Sequence, residues 1–119
     1  MSLRSFKFAI RGIISAVLYG KNLRIMLVFF SVVIAASIFF DLSGLEWAVI
    51  LVCSAGVIST EMINTAIETV INMITSEYKP LAKIAKDIAA GAVLVFSIVS
   101  AAVGLIIFVP RILQLIDNI

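Results

Sequence analysis

Residues 25–40, "IMLVFFSVVIAASIFF", contain no ionisable side chain, no glycine and no proline. Leu23 extends the run, and the Arg24 guanidinium can reach the interface along its own apolar stem, which makes the segment long enough to span a bilayer. Two further apolar stretches follow, at 45–74 and 88–109. Inside hydrocarbon each backbone N–H and C=O must be paired within its own segment, so spans of this length fold as helices. The expectation is an all-α membrane protein of one membrane domain, residues 1–119, with transmembrane helices at 23–40, 45–74 and 88–109. Composition agrees: 63% of residues are hydrophobic and 13% charged, against about 45–50% and 25% in soluble domains.

The connecting segments add detail. Residues 3–20 carry Arg4, Lys7 and Arg11 at spacings of three and four, with Phe6, Ile10, Ile13, Ile14 and Val17 supplying apolar surface. This pattern predicts an amphipathic helix lying in the membrane interface against anionic headgroups. The turn "DLSGLEW" separates the first two spans. The second helix, about 45 Å long, exceeds a hydrocarbon core of about 30 Å and has to project from the membrane at one end. A loop, "TSEYKPLAKIAKD", follows, with Pro80 expected to break the helix and Pro110 to end the third span. Small residues of that span, among them Ala90, Gly91, Ala101 and Gly104, permit close helix–helix approach.

Basic residues set the expected orientation. Arg4, Lys7, Arg11, Lys21 and Arg24 precede the first span, and Lys79, Lys83 and Lys86 lie between the second and third. The positive-inside rule puts both segments in the cytoplasm and the C-terminus outside, with Arg111 the one dissenting charge. No cleavable signal peptide is expected, and nucleic acid is not an expected partner. The chain has no histidine and one cysteine, Cys53. That excludes an internal disulfide and a zinc site of nitrogen and sulfur ligands, and leaves oxygen-ligated magnesium or calcium as the metals to consider.

Against this background, the run "STEMINTAIETVINMITSEY" stands out. Glu61, Asn64, Glu68 and Asn72 fall on one stripe of one helix. An ionised side chain at bilayer depth costs roughly 2.5–3.5 kcal/mol on insertion scales, so acidic residues there point to function. With Trp47 at the outer interface, Glu61 lies about 21 Å further in, within the cytoplasmic leaflet, and Glu68 about 10 Å beyond it at the water boundary. One carboxylate is at lipid depth and the other meets the cytosol. Three uses suit the stripe: hydrogen-bonding glue between helices, an ion or proton pathway, or a hard-cation ligand with a general base beside a metal-bound phosphate. Glu77, Lys86 and Asp87 in the following loop are candidates to join such a site. No Walker-type glycine-rich loop or protein-kinase signature occurs.

The stretch "EMINTAIETVINMITSEYKPLAKIAKDIAAGAVL" resembles the signature of the small prokaryotic integral-membrane diacylglycerol and undecaprenol kinases. "LEW" before the second span and "VGLIIFVPRI" near the end resemble the Gram-positive undecaprenol kinase branch. The resemblance covers roughly residues 5–112. It implies a homotrimer of three-span subunits with an N-terminal interfacial helix, and a kinase that moves the ATP γ-phosphoryl group to a lipid alcohol with Mg2+. By motif it implies Glu61 as the general base, Asn64, Glu68, Glu77, Lys86 and Asp87 around the nucleotide, and Glu68 as the metal ligand. Two positions depart from the family pattern. The run "YGKN" places Tyr19 and Gly20 where the family carries carboxylates, and Asn72 stands at another acidic position. Those departures imply an alternative: a repurposed, lipid-binding or partner subunit in cell-envelope assembly. A small transporter resting on Glu61 is the third possibility.

Overall fold

The computed structural model describes residues 2–119. The chain forms four helices, α1 (Leu3–Tyr19), α2 (Lys21–Phe39), α3 (Gly44–Ile74) and α4 (Pro80–Asp117). Of these, α2, α3 and α4 are long and apolar enough to cross a membrane. Side chains such as Phe29, Val52, Leu94 and Ile106 are more than half exposed. So much outward apolar surface would be untenable in water and is the normal exterior of a protein solvated by lipid.

Each boundary has a local cause. Ser2 caps α1, its hydroxyl accepting from the Ser5 N–H at 3.1 Å. At the α1–α2 elbow, Gly20 donates its N–H to the Ala16 carbonyl at 2.8 Å and accepts from the Arg24 N–H at 3.1 Å. A Cβ at Gly20 would lie 2.5 Å from the Ala16 carbonyl oxygen, so this junction admits only glycine without a backbone shift. Arg24 closes the elbow by donating to the Leu18 carbonyl at 2.9 Å. Between α2 and α3, Asp41 takes the left-handed conformation (φ 53°), which short polar side chains tolerate better than most. Ser43 and Glu46 then form a reciprocal capping box at the start of α3, satisfying two orphan N–H groups.

The α4 boundaries differ from the sequence expectation. Pro80 does not sit in a loop; it opens α4 at the first helical position, where its missing N–H costs nothing and its fixed φ suits the helix. Lys83, Lys86 and Asp87 therefore lie on the first turns of a helix. Nor does Pro110 end α4, which runs on to Asp117. Pro110 has no N–H for the Ile106 carbonyl, a loss that membrane helices tolerate, and the Arg111 guanidinium donates to the neighbouring Ile107 carbonyl at 2.9 Å. The same guanidinium pairs with Glu46 of α3 at 2.7 Å. The charge that dissented in the sequence is thus matched by a carboxylate across the helix pair.

Helices α3 and α4 pack against each other as the principal interface, with α2 against α3 and α1 against α2. The α3–α4 pair runs antiparallel: Arg111 meets Glu46 at one end, Ser100 donates to the Cys53 carbonyl at 3.5 Å further along, and Lys86 meets Asn72 at the other. Near the middle, a Cβ on Gly56 would fall on the ring of Phe96. The missing side chain is what lets the two backbones approach. Leu42, Ile50 and Ile107 are buried at the Glu46–Arg111 end, packed by Val33, Phe40, Trp47, Val103 and Phe108. This anchored end leaves the polar residues gathered at the opposite end of the bundle.

Candidate active site

The start of α2, the C-terminal half of α3 and the start of α4 meet at one end of the molecule. Glu61 and Asn64 are buried there, 6% and 7% exposed, whereas Glu68 and Asn72 are exposed. The stripe therefore runs from an enclosed carboxylate to an open one along about 10 Å of helix rise. Asn22, on the first turn of α2, lies near the Glu61 carboxylate across the α2–α3 contact.

Asn64 lies between the two acids on the stripe and is bonded to the outer one. Its Nδ2 donates to Glu68 Oε1 at 3.2 Å, and because an ionised carboxylate only accepts, that contact fixes which way the amide points. Its Oδ1 is buried with no hydrogen-bond partner in the protein. Buried acceptors are nearly always paired, and leaving one unmade costs about 1–3 kcal/mol. An oxygen held in this way, between two carboxylates, suits a donor group or a cation that is not part of the chain.

The remaining sequence candidates separate. Lys86, half-buried, donates from Nζ to Asn72 Oδ1 at 2.7 Å and so joins the end of the stripe. Asp87 is exposed and engaged by Lys83 at 2.6 Å, one turn back on its own helix. Glu77, in the α3–α4 turn, pairs with Lys79 at 3.4 Å and donates its backbone N–H to Thr75 Oγ1 at 3.0 Å. Asp87 and Glu77 thus find their ionic partners outside the stripe. Asn22 was not among the sequence candidates. Its signal is an amide at the head of an apolar helix, within the very "YGKN" run where two carboxylates are replaced.

The donor set bears on magnesium. At ATP sites this ion is held by one or two carboxylates and completed by substrate phosphates and water. Glu68 supplies one exposed carboxylate, and the free Asn64 oxygen lies beside it. Among the described residues, no group of three or more His, Cys, Asp or Glu side chains gathers to hold an ion alone. This donor set, with a single exposed carboxylate, fits a metal that arrives on phosphate oxygens better than one the chain holds alone.

An apolar groove of about 620 Å³ opens between α2, α3 and α4, lined by Ile25, Phe29, Val57, Ser97, Leu105 and Phe108 among others. Val57 is one helical turn from Glu61, so the groove leads from lipid-facing surface toward the enclosed carboxylate.

Residues 7–108 match the sequence profile of the prokaryotic diacylglycerol kinases. The chain belongs to the prokaryotic diacylglycerol kinase family. It is 40% identical over 108 residues to an undecaprenol kinase of Bacillus subtilis (strain 168), covering 91% of this chain and 88% of that protein. It is 38% identical over 114 residues to a diacylglycerol kinase of Synechocystis sp. (strain ATCC 27184 / PCC 6803 / Kazusa), covering 95% of this chain and 65% of that longer relative. Membership in this family, with three membrane-length helices, makes the chain a multi-pass membrane protein. The matched region takes in the elbow at Gly20, the whole α3 stripe and the Lys86 contact.

Proposed function

We propose that this protein is a lipid kinase that transfers the γ-phosphoryl group of ATP to the hydroxyl of a membrane lipid alcohol, undecaprenol or a diacylglycerol. The observation that carries the reading is the α3 stripe, on which an enclosed carboxylate, Glu61, and a water-facing one, Glu68, lie two turns apart with Asn64 between them and bonded to Glu68. A reaction between an oily alcohol and a water-soluble phosphate donor needs that change of environment over one or two helical turns. The names of the two relatives support the same chemistry.

In this reading the lipid chain lies along the apolar groove and its hydroxyl comes to Glu61. The carboxylate accepts the hydroxyl proton as the lipid oxygen bonds to the γ-phosphorus, and the bond from that phosphorus to the β–γ bridging oxygen breaks to release ADP. Asn22 steadies the base. Glu68 and Asn64 face the phosphates, Glu68 holding the Mg2+ that accompanies ATP and offsets phosphate charge. Lys86 adds a fixed positive charge at the same end, with Glu77 and Asp87 at the rim of the nucleotide site. Phosphoryl transfer is catalysed mainly by positioning and charge neutralisation, which is what such a set of residues supplies.

The proposed setting is a bacterial inner membrane, with the N-terminus and the α3–α4 turn in the cytoplasm and α1 lying in the interface. Arg4, Lys7 and Arg11 on one stripe of α1 support that placement. We place the subunit in a homotrimer, as the family resemblance implies; the exposed small residues Ala90, Ala101 and Ala102 on α4 permit close packing between copies.

The test is direct. Purified protein in phospholipid vesicles, given γ-labelled ATP, magnesium and either undecaprenol or dioleoylglycerol, is expected to label one of the lipids, and Glu61→Gln is expected to remove the label. Absence of labelled lipid from wild type with both alcohols would overturn the reading.

A further inference from the structure

The floor of the apolar groove continues into the carboxylate stripe. Ile50, Ser54 and Val57 line the groove, and Glu61 follows Val57 by four residues, so all four share one face of α3. A lipid in the groove with its hydroxyl at Glu61 lays the next part of its chain beside Val57, about 6 Å further along the helix.

Three hydroxyls line this groove: Ser54, Ser97 and Ser100. Two are engaged. Ser54 donates to the Ile50 carbonyl at 2.8 Å, and Ser100 donates to the Cys53 carbonyl at 3.5 Å. Ser97 is half-buried on α4 and makes no hydrogen bond within the chain among the described residues. A helical serine can turn back on the carbonyl four residues earlier, and this one does not. Its level is set by its neighbours: Ser100 meets Cys53, and the Phe96 ring stands over Gly56. Ser97 is therefore level with Val57, at the end of the groove nearest Glu61.

We propose that Ser97 is a specificity-determining residue for the lipid alcohol, its hydroxyl donating to an ester carbonyl of a diacylglycerol whose free hydroxyl lies at Glu61. This rests on the kinase reading above and chooses between its two alcohols. A diacylglycerol carries ester carbonyls within a few bonds of its hydroxyl, which is the stretch that passes Val57. Undecaprenol is hydrocarbon beyond its hydroxyl and offers Ser97 no oxygen. Covering an unpaired O–H with hydrocarbon costs free energy, and an ester oxygen removes that cost. A polar group placed for one substrate in this way disfavours the analogue that lacks the matching atom.

The test uses full-length protein in phospholipid vesicles with γ-labelled ATP and magnesium. It compares kcat/KM for dioleoylglycerol, for the matching diether (the same shape without carbonyls) and for undecaprenol. Wild type is expected to favour the diester over the diether by about three- to tenfold, the value of one neutral hydrogen bond. Ser97→Ala is expected to bring that ratio close to one, and Ser97→Thr, which keeps the hydroxyl, to retain it. A purely structural role would lower the three alcohols together and leave the ratio alone. The wild-type comparison stands even where Ser97→Ala does not fold. A wild type indifferent to the carbonyls, one that favours undecaprenol over dioleoylglycerol, or a ratio that survives Ser97→Ala or is lost in Ser97→Thr would overturn this assignment while leaving the kinase reading in place. If wild type labels none of the three, the kinase reading falls and takes this one with it.

Discussion

The close approach of α3 and α4 at Gly56 holds the two halves of the site in register, and it makes a quantitative prediction. Gly56→Ala does two things. It removes a helical glycine, a gain of about 0.5–1 kcal/mol from backbone entropy. It also drives a methyl group into the Phe96 ring, an overpacking that typically costs 1–3 kcal/mol. Gly104, on α4, isolates the first effect, because a Cβ there meets nothing within 4 Å. The Gly56→Ala protein is therefore expected to be less stable than the Gly104→Ala protein by about 1–3 kcal/mol, the overpacking cost alone. The ring is half-buried and part of its edge can swing into lipid, which favours the lower half of that range. Adding Phe96→Leu is expected to recover part of the loss, with a coupling of about 0.5–3 kcal/mol between the two sites. The assay is reversible unfolding of wild type, the three single variants and the double variant in one detergent, followed by helical content. Equal stabilities for Gly56→Ala and Gly104→Ala, or strict additivity with Phe96→Leu, would refute the close packing.

Other predictions follow from the same structure. Glu46→Gln and Arg111→Met are each expected to lower the thermal midpoint, and the double variant to be no worse than the worse single, because one ion pair also supports the helix beyond Pro110; additive losses in melting would deny the coupling. Single cysteines introduced as Ser76→Cys and Asn118→Cys in a Cys53→Ala background are expected to react with an impermeant maleimide from opposite sides of sealed vesicles. Labelling from one side only would contradict three crossings. Chelation of magnesium is expected to abolish lipid phosphorylation, because a metal supplies several kcal/mol of charge stabilisation at transferring phosphates; turnover that survives chelation would remove Glu68 from its proposed role.

The apolar runs and the carboxylate stripe were legible because each is local: bilayer-length hydrophobicity and helical spacing depend on nearby residues alone. The family signature lies in the same continuous stretch. What escaped depends on contacts between distant segments. Past Pro110 the helix continues, and Arg111 there meets Glu46, a partner far away in sequence. Pro80 reads as a breaker in a chain, yet opens α4 because nothing helical precedes it. Asn22 comes near Glu61 only because α2 folds back beside α3. Glu77 and Asp87 were legible as candidates from their place in the motif, but their ion pairs with Lys79 and Lys83 show only in the folded chain.

The division of labour along the stripe is tested most directly by comparing Glu61→Gln with Glu68→Gln for nucleotide affinity and for phosphoryl transfer. Loss of a general base costs about 10²–10⁴ in rate, so Glu61→Gln is expected to bind a non-hydrolysable ATP analogue as wild type does and to turn over at least a hundredfold more slowly, while Glu68→Gln loses affinity for magnesium–nucleotide. A Glu61→Gln protein that still phosphorylates lipid within tenfold of wild type would contradict the account at its centre.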